Sequence, residues 1–205
     1  MPVEGGVTHI DVVRHGEVAT PGLFCAPPEE PLSELGWKQM QRTTQNVSYE
    51  QVISSPSRRC AEFAGVWAAT MSCEPMIMDD LQEMDFGQWI GRPAADIWQQ
   101  DERLLQTLWQ DSVSFIAPKG EAMTEFIARV RLAWRTILQQ QSGRHVAVFT
   151  HGGVIRILLG LALDIPYQKT LGFALAYGSA TRFKVYPDGV VSVYGVGVKQ
   201  LADAA

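Results

Sequence analysis

The sequence contains only three cysteines in 205 residues. Cys25, Cys60 and Cys73 are odd in number, lie far apart and form no C-x-x-C pair. A disulfide framework and a structural zinc site both need more cysteines at closer spacing, so this pattern favours neither. We therefore expect free thiols and a reducing cytoplasmic location, and nothing in this pattern calls for a bound metal or cofactor.

Long hydrophobic runs and an excess of basic residues are also missing. No apolar stretch approaches the ~20 residues that cross a bilayer, and the first residues lack the basic start of a secretory signal. The chain has 17 basic and 22 acidic side chains, for a net charge of −5. A nucleic-acid binder needs a basic surface, so we expect neither nucleic acid nor membrane as a partner. The oligomeric state is not predicted.

Strand-like and helix-like segments alternate along the chain, as in α/β proteins. The pattern predicts strands at 7–13, 52–54, 76–78 and 145–150, and a closing hairpin of 180–186 and 190–194. It predicts helices at 34–46, from Pro56 to Ala68, at 121–140 and at 154–163.

No repeat or long linker divides the chain, so residues 1–205 are expected to form one domain. Apolar residues at helical spacing between Gly91 and Trp109 predict a helical insertion within about 87–120. The predicted fold is a three-layer α/β/α sandwich with a mixed, mostly parallel sheet and this small helical insertion over the active site.

Three of the predicted strands end in polar loops that contain arginine, serine or histidine. These loops are Arg14-His15-Gly16-Glu17, 54–59 (SSPSRR), and Thr150-His151-Gly152-Gly153. Ligand sites of open α/β sheets form at the carboxyl ends of strands, so the three loops are expected to converge on one pocket.

The side chains of these loops suit a phosphoryl group. Arginine grips phosphate oxygens in pairs and stays charged. Amide N–H groups at the start of the helix after His151 would add donors, and Gly152 lets the backbone approach closely. Positive charge beside His15 suppresses protonation of its imidazole, which leaves a neutral ring nitrogen free to attack phosphorus.

Four motifs, in order, resemble the histidine phosphatase superfamily, the phosphoglycerate-mutase-like clan. They are 14–17 (RHGE), 54–59, 81–87 (LQEMDFG) and 150–156 (THGGVIR). The segments 86–89 (FGQW) and 31–36 (PLSELG) are most similar to the α-ribazole phosphatase branch.

The resemblance implies roles for single residues. His15 is expected to be the nucleophile that becomes a phosphohistidine, and Arg14 and Arg59 to clamp the phosphoryl oxygens. His151, with Gly152 beside it, is expected to complete a positive cradle. Glu83 is expected to protonate the leaving group and then to activate water, in an apolar setting supplied by Leu81, Met84, Phe86 and Trp89.

One position departs from the family pattern, and a few residues have two interpretations. Pro21 stands where the family has a phosphate-binding Asn, so either Thr20 substitutes for it or the loop is shifted. Glu17 either orients the nucleophile loop or is an ordinary loop carboxylate, and Glu121 either lies near the site or caps the next helix. Trp89 is a candidate for the wall of the leaving-group pocket, whereas Trp98 and Trp109 are expected to pack the insertion onto the core. Arg58, His9 and His145 are expected to be structural or exposed.

Three functions are compatible with these residues. The first is a metal-independent phosphomonoesterase acting on a small phosphorylated metabolite such as α-ribazole 5′-phosphate. The second is a cofactor-dependent phosphoglycerate mutase, which should carry several cations in the insertion, whereas Arg103 is the only one between Pro93 and Pro118. The third is a weakly active member that serves as a phosphate-binding module. The joint presence of His15, Glu83 and His151 favours an enzyme.

Overall fold

Six strands form one mixed sheet at the centre of the molecule. The computed structural model describes residues 6–201. The strands are β1 (Thr8–Arg14), β2 (Gln51–Ser54), β3 (Met76–Ile77), β4 (His145–Thr150), β5 (Ala180–Val185) and β6 (Val191–Val198). Their order across the sheet is β3-β2-β4-β1-β5-β6. The first four strands are mutually parallel, and β5 and β6 pair antiparallel at one edge, so the predicted mixed, mostly parallel sheet is confirmed.

Helices cover both faces of this sheet. They are α1 (Glu34–Thr44), α2 (Arg58–Ala69), α3 (Ala94–Gln100), α4 (Glu102–Gln110), α5 (Met123–Gln140), α6 (Gly152–Leu163) and the short α7 (Tyr167–Thr170). Single 3-10 turns lie at Asp79–Leu81, Gly87–Trp89 and Ser112–Ser114. No helix within residues 6–201 has the length and apolar composition that crossing a bilayer requires.

Alternating strand residues supply two separate hydrophobic cores. Val12 and Val148 face one side, where they pack with buried residues of α5 and α6. Val13 and Phe149 face the other side, where α1 and α2 contribute Met40, Cys60 and Phe63 among others. Successive side chains of a strand point to opposite faces, so a sheet with two apolar faces needs a helix layer on each. The predicted three-layer α/β/α sandwich is confirmed.

The helix starts differ from their predicted positions by a few residues. The side chain of Ser33 caps α1 as expected, by accepting a hydrogen bond from the backbone N–H of Gly36. In contrast, α6 begins at Gly152 and not at Val154, because the two glycines continue directly from β4. The four-residue α7 was not predicted, since its sequence carries no apolar periodicity.

The insertion is built around one tryptophan, and this corrects its expected role. Trp89 is fully buried, and its indole Nε1 donates a hydrogen bond to Asp101 Oδ2 at 2.9 Å. Trp89 therefore anchors the insertion and forms no wall of a ligand pocket. Trp98 and Trp109 were expected to pack the insertion onto the core, but they contact each other on the helix pair α3–α4, with ring centroids 5.4 Å apart, and are 46% and 40% exposed.

A buried carboxylate joins three strands and the loop before β2, away from the carboxyl ends of the parallel strands. Asp11 in β1 is fully buried. It accepts hydrogen bonds from the Tyr49 hydroxyl at 2.9 Å and from Arg182 Nε at 2.8 Å, and it lies 3.1 Å from His145 Nε2. Burial by itself would raise the pKa of Asp11, but the hydrogen bonds from His145, Arg182 and Tyr49 outweigh it and hold the pKa below its usual value. This contact gives His145 the structural role expected for it.

Replacing Asp11 should therefore destabilise the fold in a pH-dependent way. We expect Asp11→Asn to lower the free energy of unfolding by about 3 kcal/mol at pH 7, because Arg182 loses its buried ionic partner. The folded-state pKa of Asp11 is lowered, so its contribution is complete above the unfolded carboxyl pKa and is lost as the pH falls through the folded value. Urea unfolding at several pH values measures this difference. The control Glu62→Gln removes only an exposed pair with Arg58, so equal losses from both substitutions would contradict the account.

Candidate active site

An open cavity lies at the carboxyl end of β1. Its polar lining consists of Arg14, His15, Arg59, Glu83 and Tyr177, and its apolar lining includes Val18, Leu23, Phe24 and Phe86. The structure thus brings together four of the residues that the motifs singled out. His151 lies directly behind His15, with the ring centroids 5.2 Å apart, and Gly152 borders an adjoining cavity that also includes Arg14 and Glu83.

His15 is held as a neutral imidazole with one defined free nitrogen. Its Nδ1 lies 2.8 Å from the carbonyl oxygen of Gly16. A carbonyl can only accept, so Nδ1 carries the hydrogen and the lone pair lies on Nε2. Burial lowers the pKa of His15 well below its usual value, and the charges of Arg59 and Arg14 lower it further. A neutral imidazole with an available Nε2 is a nucleophile at pH 7.

His151 was expected to complete a positive cradle, but its imidazole is also neutral. The ring is fully buried, and its Nδ1 lies 3.3 Å from Arg59 Nη2. A guanidinium only donates, so Nδ1 accepts and Nε2 donates to the Ser55 hydroxyl at 2.9 Å. Burial lowers the pKa of His151 well below its usual value, with Arg59 and His15 adding to the effect. His151 therefore fixes the Arg59 side chain and contributes no charge of its own.

The positive charge of the site comes from two arginines. Arg59 is 2% exposed and donates to the carbonyl of Pro27 at 2.8 Å. Arg14 donates to the carbonyl of Leu175, and its guanidinium carbon lies 4.1 Å from the ring centroid of Tyr177. The Nε atoms of both arginines are buried and have no hydrogen-bond partner within residues 6–201. Guanidinium donors that converge on a cavity suit a phosphate or a similar oxyanion.

The amino end of α6 contacts both Arg14 and Glu83. A Cβ atom added to Gly152 would lie 3.4 Å from Arg14 Nε, so the backbone lies against the guanidinium. Glu83 Oε2 accepts a hydrogen bond from the N–H of Gly153 at 3.2 Å, and its Oε1 accepts one from the N–H of Met84 at 3.3 Å. A Cβ added to Gly153 would come within 2.3 Å of Glu83 Oε1. Only glycine permits this position of the carboxylate.

The loop after β1 does not bring Thr20 to the cavity in place of the missing Asn. Thr20 and Pro21 are exposed, and the backbone N–H of Thr20 donates to Glu30 Oε1 at 2.8 Å. The same loop lines the cavity with Leu23 and Phe24 instead. Thr20 therefore does not replace the missing Asn, and this side of the cavity is apolar.

Glu17 and Glu121, which had two interpretations each, and the free thiol Cys25 also have clear positions. Glu17 accepts a hydrogen bond from the Ser33 hydroxyl at 3.0 Å, as a loop carboxylate does. Glu121 lies near the site but does not line the cavity, because its carboxylate pairs with Arg129 and accepts a hydrogen bond from the N–H of Asp85 at 3.2 Å. Cys25 lines the cavity, but burial raises its pKa to about 12, so its thiol stays protonated at neutral pH.

Sequence reasoning missed Tyr177. Its ring lies over Arg14 and 5.6 Å from the ring of His15, between centroids. It belongs to the segment between α7 and β5, which has no periodicity that could mark a functional position. No group of three or more His, Cys, Asp or Glu side chains in residues 6–201 is arranged to hold a metal ion.

Known proteins resemble this chain in sequence and in fold. The family model "Histidine phosphatase superfamily (branch 1)" matches residues 10–195. A bifunctional protein of Mycobacterium tuberculosis is 29% identical over 195 residues, which cover 92% of this chain and 53% of that protein. The chain thus spans about half the length of this curated relative. The adenosylcobalamin/alpha-ribazole phosphatase of Escherichia coli K12 is 26% identical over 172 residues, or 82% of this chain and 85% of that protein.

A solved structure shows the same fold. The alpha-ribazole phosphatase from Shigella flexneri superposes with a TM-score of 0.81 at 22% identity, and the match covers 96% of this chain and 100% of that one. At this level of identity the likeness concerns the fold alone.

The two adjacent arginines of α2 provide a test of oxyanion binding. Arg59→Gln should weaken binding of orthovanadate by at least about 10-fold, because a buried charged hydrogen-bond donor is lost. Arg58→Gln should leave the dissociation constant unchanged, since Arg58 is exposed and bonds to Glu62 at 2.6 Å. Isothermal titration calorimetry measures both. Equal affinities for the two variants would contradict the assignment of Arg59 to the site.

Proposed function

The chain belongs to the histidine phosphatase superfamily (branch 1), and from that premise we propose that it is a phosphomonoesterase that works through His15 without a metal ion. The observation that carries the proposal is the pairing of a neutral His15, whose Nε2 is free, with two arginines whose donors are not all used. The arginines supply the positive charge that a metal ion supplies in other phosphatases. Nucleophile and cations share one cavity.

In the first step the phosphoryl group moves to the protein. Arg14 and Arg59 hold the phosphoryl oxygens, and the lone pair of His15 Nε2 attacks phosphorus while the bond to the leaving oxygen breaks. Glu83, which lines the same cavity, gives its proton to that oxygen, so an alcohol departs. The Nδ1–H of His15 stays bonded to Gly16, which stabilises the ring as it becomes positively charged.

In the second step water releases phosphate. Glu83, now ionised, accepts a proton from a water molecule as its oxygen attacks phosphorus, and the phosphorus–nitrogen bond breaks. Phosphate leaves, His15 returns to its neutral form, and Glu83 is protonated again. One water is consumed for each ester hydrolysed, and the site is regenerated.

The lining of the cavity indicates the kind of leaving group. Phe24, Phe86 and Tyr177 surround the approach to His15, and aromatic side chains pack well against flat or apolar groups. We propose a small phosphorylated metabolite with such a group, of which α-ribazole 5′-phosphate is the leading candidate, as suggested by the similarity to the E. coli phosphatase. The cytoplasmic location stays a prediction, and nucleic acid and membranes are not proposed as partners.

The two alternative functions fit the cavity less well. A phosphoglycerate mutase must hold a bisphosphate, yet Arg103, the only basic residue of the 93–118 segment, is exposed and does not line the cavity. A binding module has no need for a neutral buried imidazole or for a carboxylate beside it. Hydrolysis is therefore the reaction that we propose.

The covalent intermediate is directly testable. Rapid quenching with ³²P-labelled substrate should give a protein-bound label that survives base and is lost in acid, as a phosphoramidate is. His15→Ala should remove the label and lower turnover by at least about 10³-fold, whereas His9→Asn, outside the cavity, should retain both. We also expect EDTA to leave the rate unchanged. Full turnover by His15→Ala would contradict the mechanism.

A substrate panel separates the phosphatase from the mutase. We expect a higher kcat/KM for α-ribazole 5′-phosphate than for sugar monophosphates, because its flat base suits the aromatic lining, and the nucleotide monophosphates of the panel show which base is preferred. We expect no rapid isomerisation of 3-phosphoglycerate with catalytic 2,3-bisphosphoglycerate. Rapid isomerisation would overturn the choice of hydrolysis, and a clear preference for a small aliphatic ester would overturn the proposed leaving group.

A further inference from the structure

Arg129 in α5 binds the segment that carries Glu83, although it does not line the cavity. Its Nη1 donates to the carbonyl oxygens of Asp80 at 3.0 Å and Gln82 at 2.8 Å, and its Nη2 donates to the carbonyl oxygen of Glu83 at 3.0 Å. Three hydrogen bonds from one guanidinium thus hold three residues of the 80–83 segment. Glu83 itself lies between two 3-10 turns, outside any regular helix or strand.

The second partner of Arg129 is Glu121, and it reinforces the same segment. Arg129 Nε donates to Glu121 Oε1 at 2.7 Å, and Nη2 donates to Oε2 at 2.9 Å, in a bidentate pair. Glu121 Oε2 also accepts a hydrogen bond from the N–H of Asp85 at 3.2 Å. The backbone is therefore held on both sides of Glu83, by carbonyl contacts before it and by an amide contact after it.

Arg129 has no hydrogen-bond donor left for a substrate. A guanidinium has five N–H donors, and the five contacts to Glu121, Asp80, Gln82 and Glu83 occupy all of them. The two side chains are only 21% and 14% exposed. An arginine with no spare donor positions its neighbours and does not bind an incoming anion.

We propose that Arg129 and Glu121 are positioning residues that hold the Glu83 carboxyl where it protonates the leaving group. The inference rests on the proposed function, because it needs Glu83 to be a proton donor. A displacement of a catalytic group by about 1 Å can cost up to ~100-fold in rate. A loop without secondary structure needs such a fixed point to keep its carboxyl in place.

Arg129→Lys is the most informative substitution. Lysine keeps the positive charge, but its ammonium has three donors and no planar fork, so it cannot hold Glu121 and three carbonyl groups together. Glu121→Gln keeps the shape and removes the charge of the partner. The matched control is Arg135→Lys, on an exposed position of the same helix.

The readout is the dependence of kcat/KM on the leaving group. 2,4-Dinitrophenyl phosphate releases a stable phenolate that needs no proton, whereas benzyl phosphate releases an alkoxide that does. We expect Arg129→Lys to lower kcat/KM for benzyl phosphate about 10- to 100-fold more than for the dinitrophenyl ester. Glu121→Gln should shift the ratio in the same direction, and Arg135→Lys should not change it. Misfolded protein lowers both rates equally, so the ratio reports on proton donation even where a variant is less stable.

Glu83→Gln separates a failure of the inference from a failure of the proposed function. If Glu83→Gln lowers both rates equally, Glu83 is not the proton donor, and the proposed chemistry and the inference are both overturned. If Glu83→Gln is selective for benzyl phosphate but Arg129→Lys is not, only the positioning role is overturned. We expect both to be selective, and Arg129→Lys to add little further loss of selectivity in the Glu83→Gln background, because the two act through one group.

Discussion

The active site depends on the parallel pairing of β1 with β4. The register places Arg14 beside Thr150, and the backbone N–H of His15 donates to the carbonyl of Thr150 at 2.8 Å. Both strands end at the same level, so two motifs at opposite ends of the sequence meet with their imidazoles 5.2 Å apart. The carbonyl of His15 also accepts from the N–H of Gly178 at 3.1 Å, which brings Tyr177 over the cavity. A slip by one residue would turn the apolar residues of β1 to the opposite face of the sheet and separate the two motifs.

Burial then determines the charge state of each group. Both imidazoles lose their protons because they are buried next to arginines, while the guanidiniums stay charged. The result is a neutral nucleophile in a cationic cavity, inside a protein whose net charge is −5. The acidic composition argues against a polyanion-binding surface, and it is fully compatible with a pocket for a small anion. The amino end of α6, where Glu83 bonds to Gly153, places a carboxyl group in the same cavity.

The sequence allowed the architecture and the chemical core of the site to be predicted, because both depend on local patterns. Apolar runs end at Arg14-His15 and at Thr150-His151, and strand ends of an open sheet meet at one edge. Contacts between distant segments could not be predicted in this way. Tyr177 lies in an irregular segment, and the contacts of Arg129 exist only after α5 packs against residues 80–85. Trp89 was misjudged because an aromatic residue beside a site motif can equally well face the core, where its N–H finds Asp101.

The central claim is that the phosphoryl group passes through His15 in two displacements. The most direct test is the stereochemical course at phosphorus, followed by hydrolysing a phosphorothioate ester that is chiral through ¹⁸O in ¹⁷O-labelled water. Each in-line displacement inverts the configuration, so two displacements predict thiophosphate with net retention. Net inversion would show a single direct attack by water and would contradict the account.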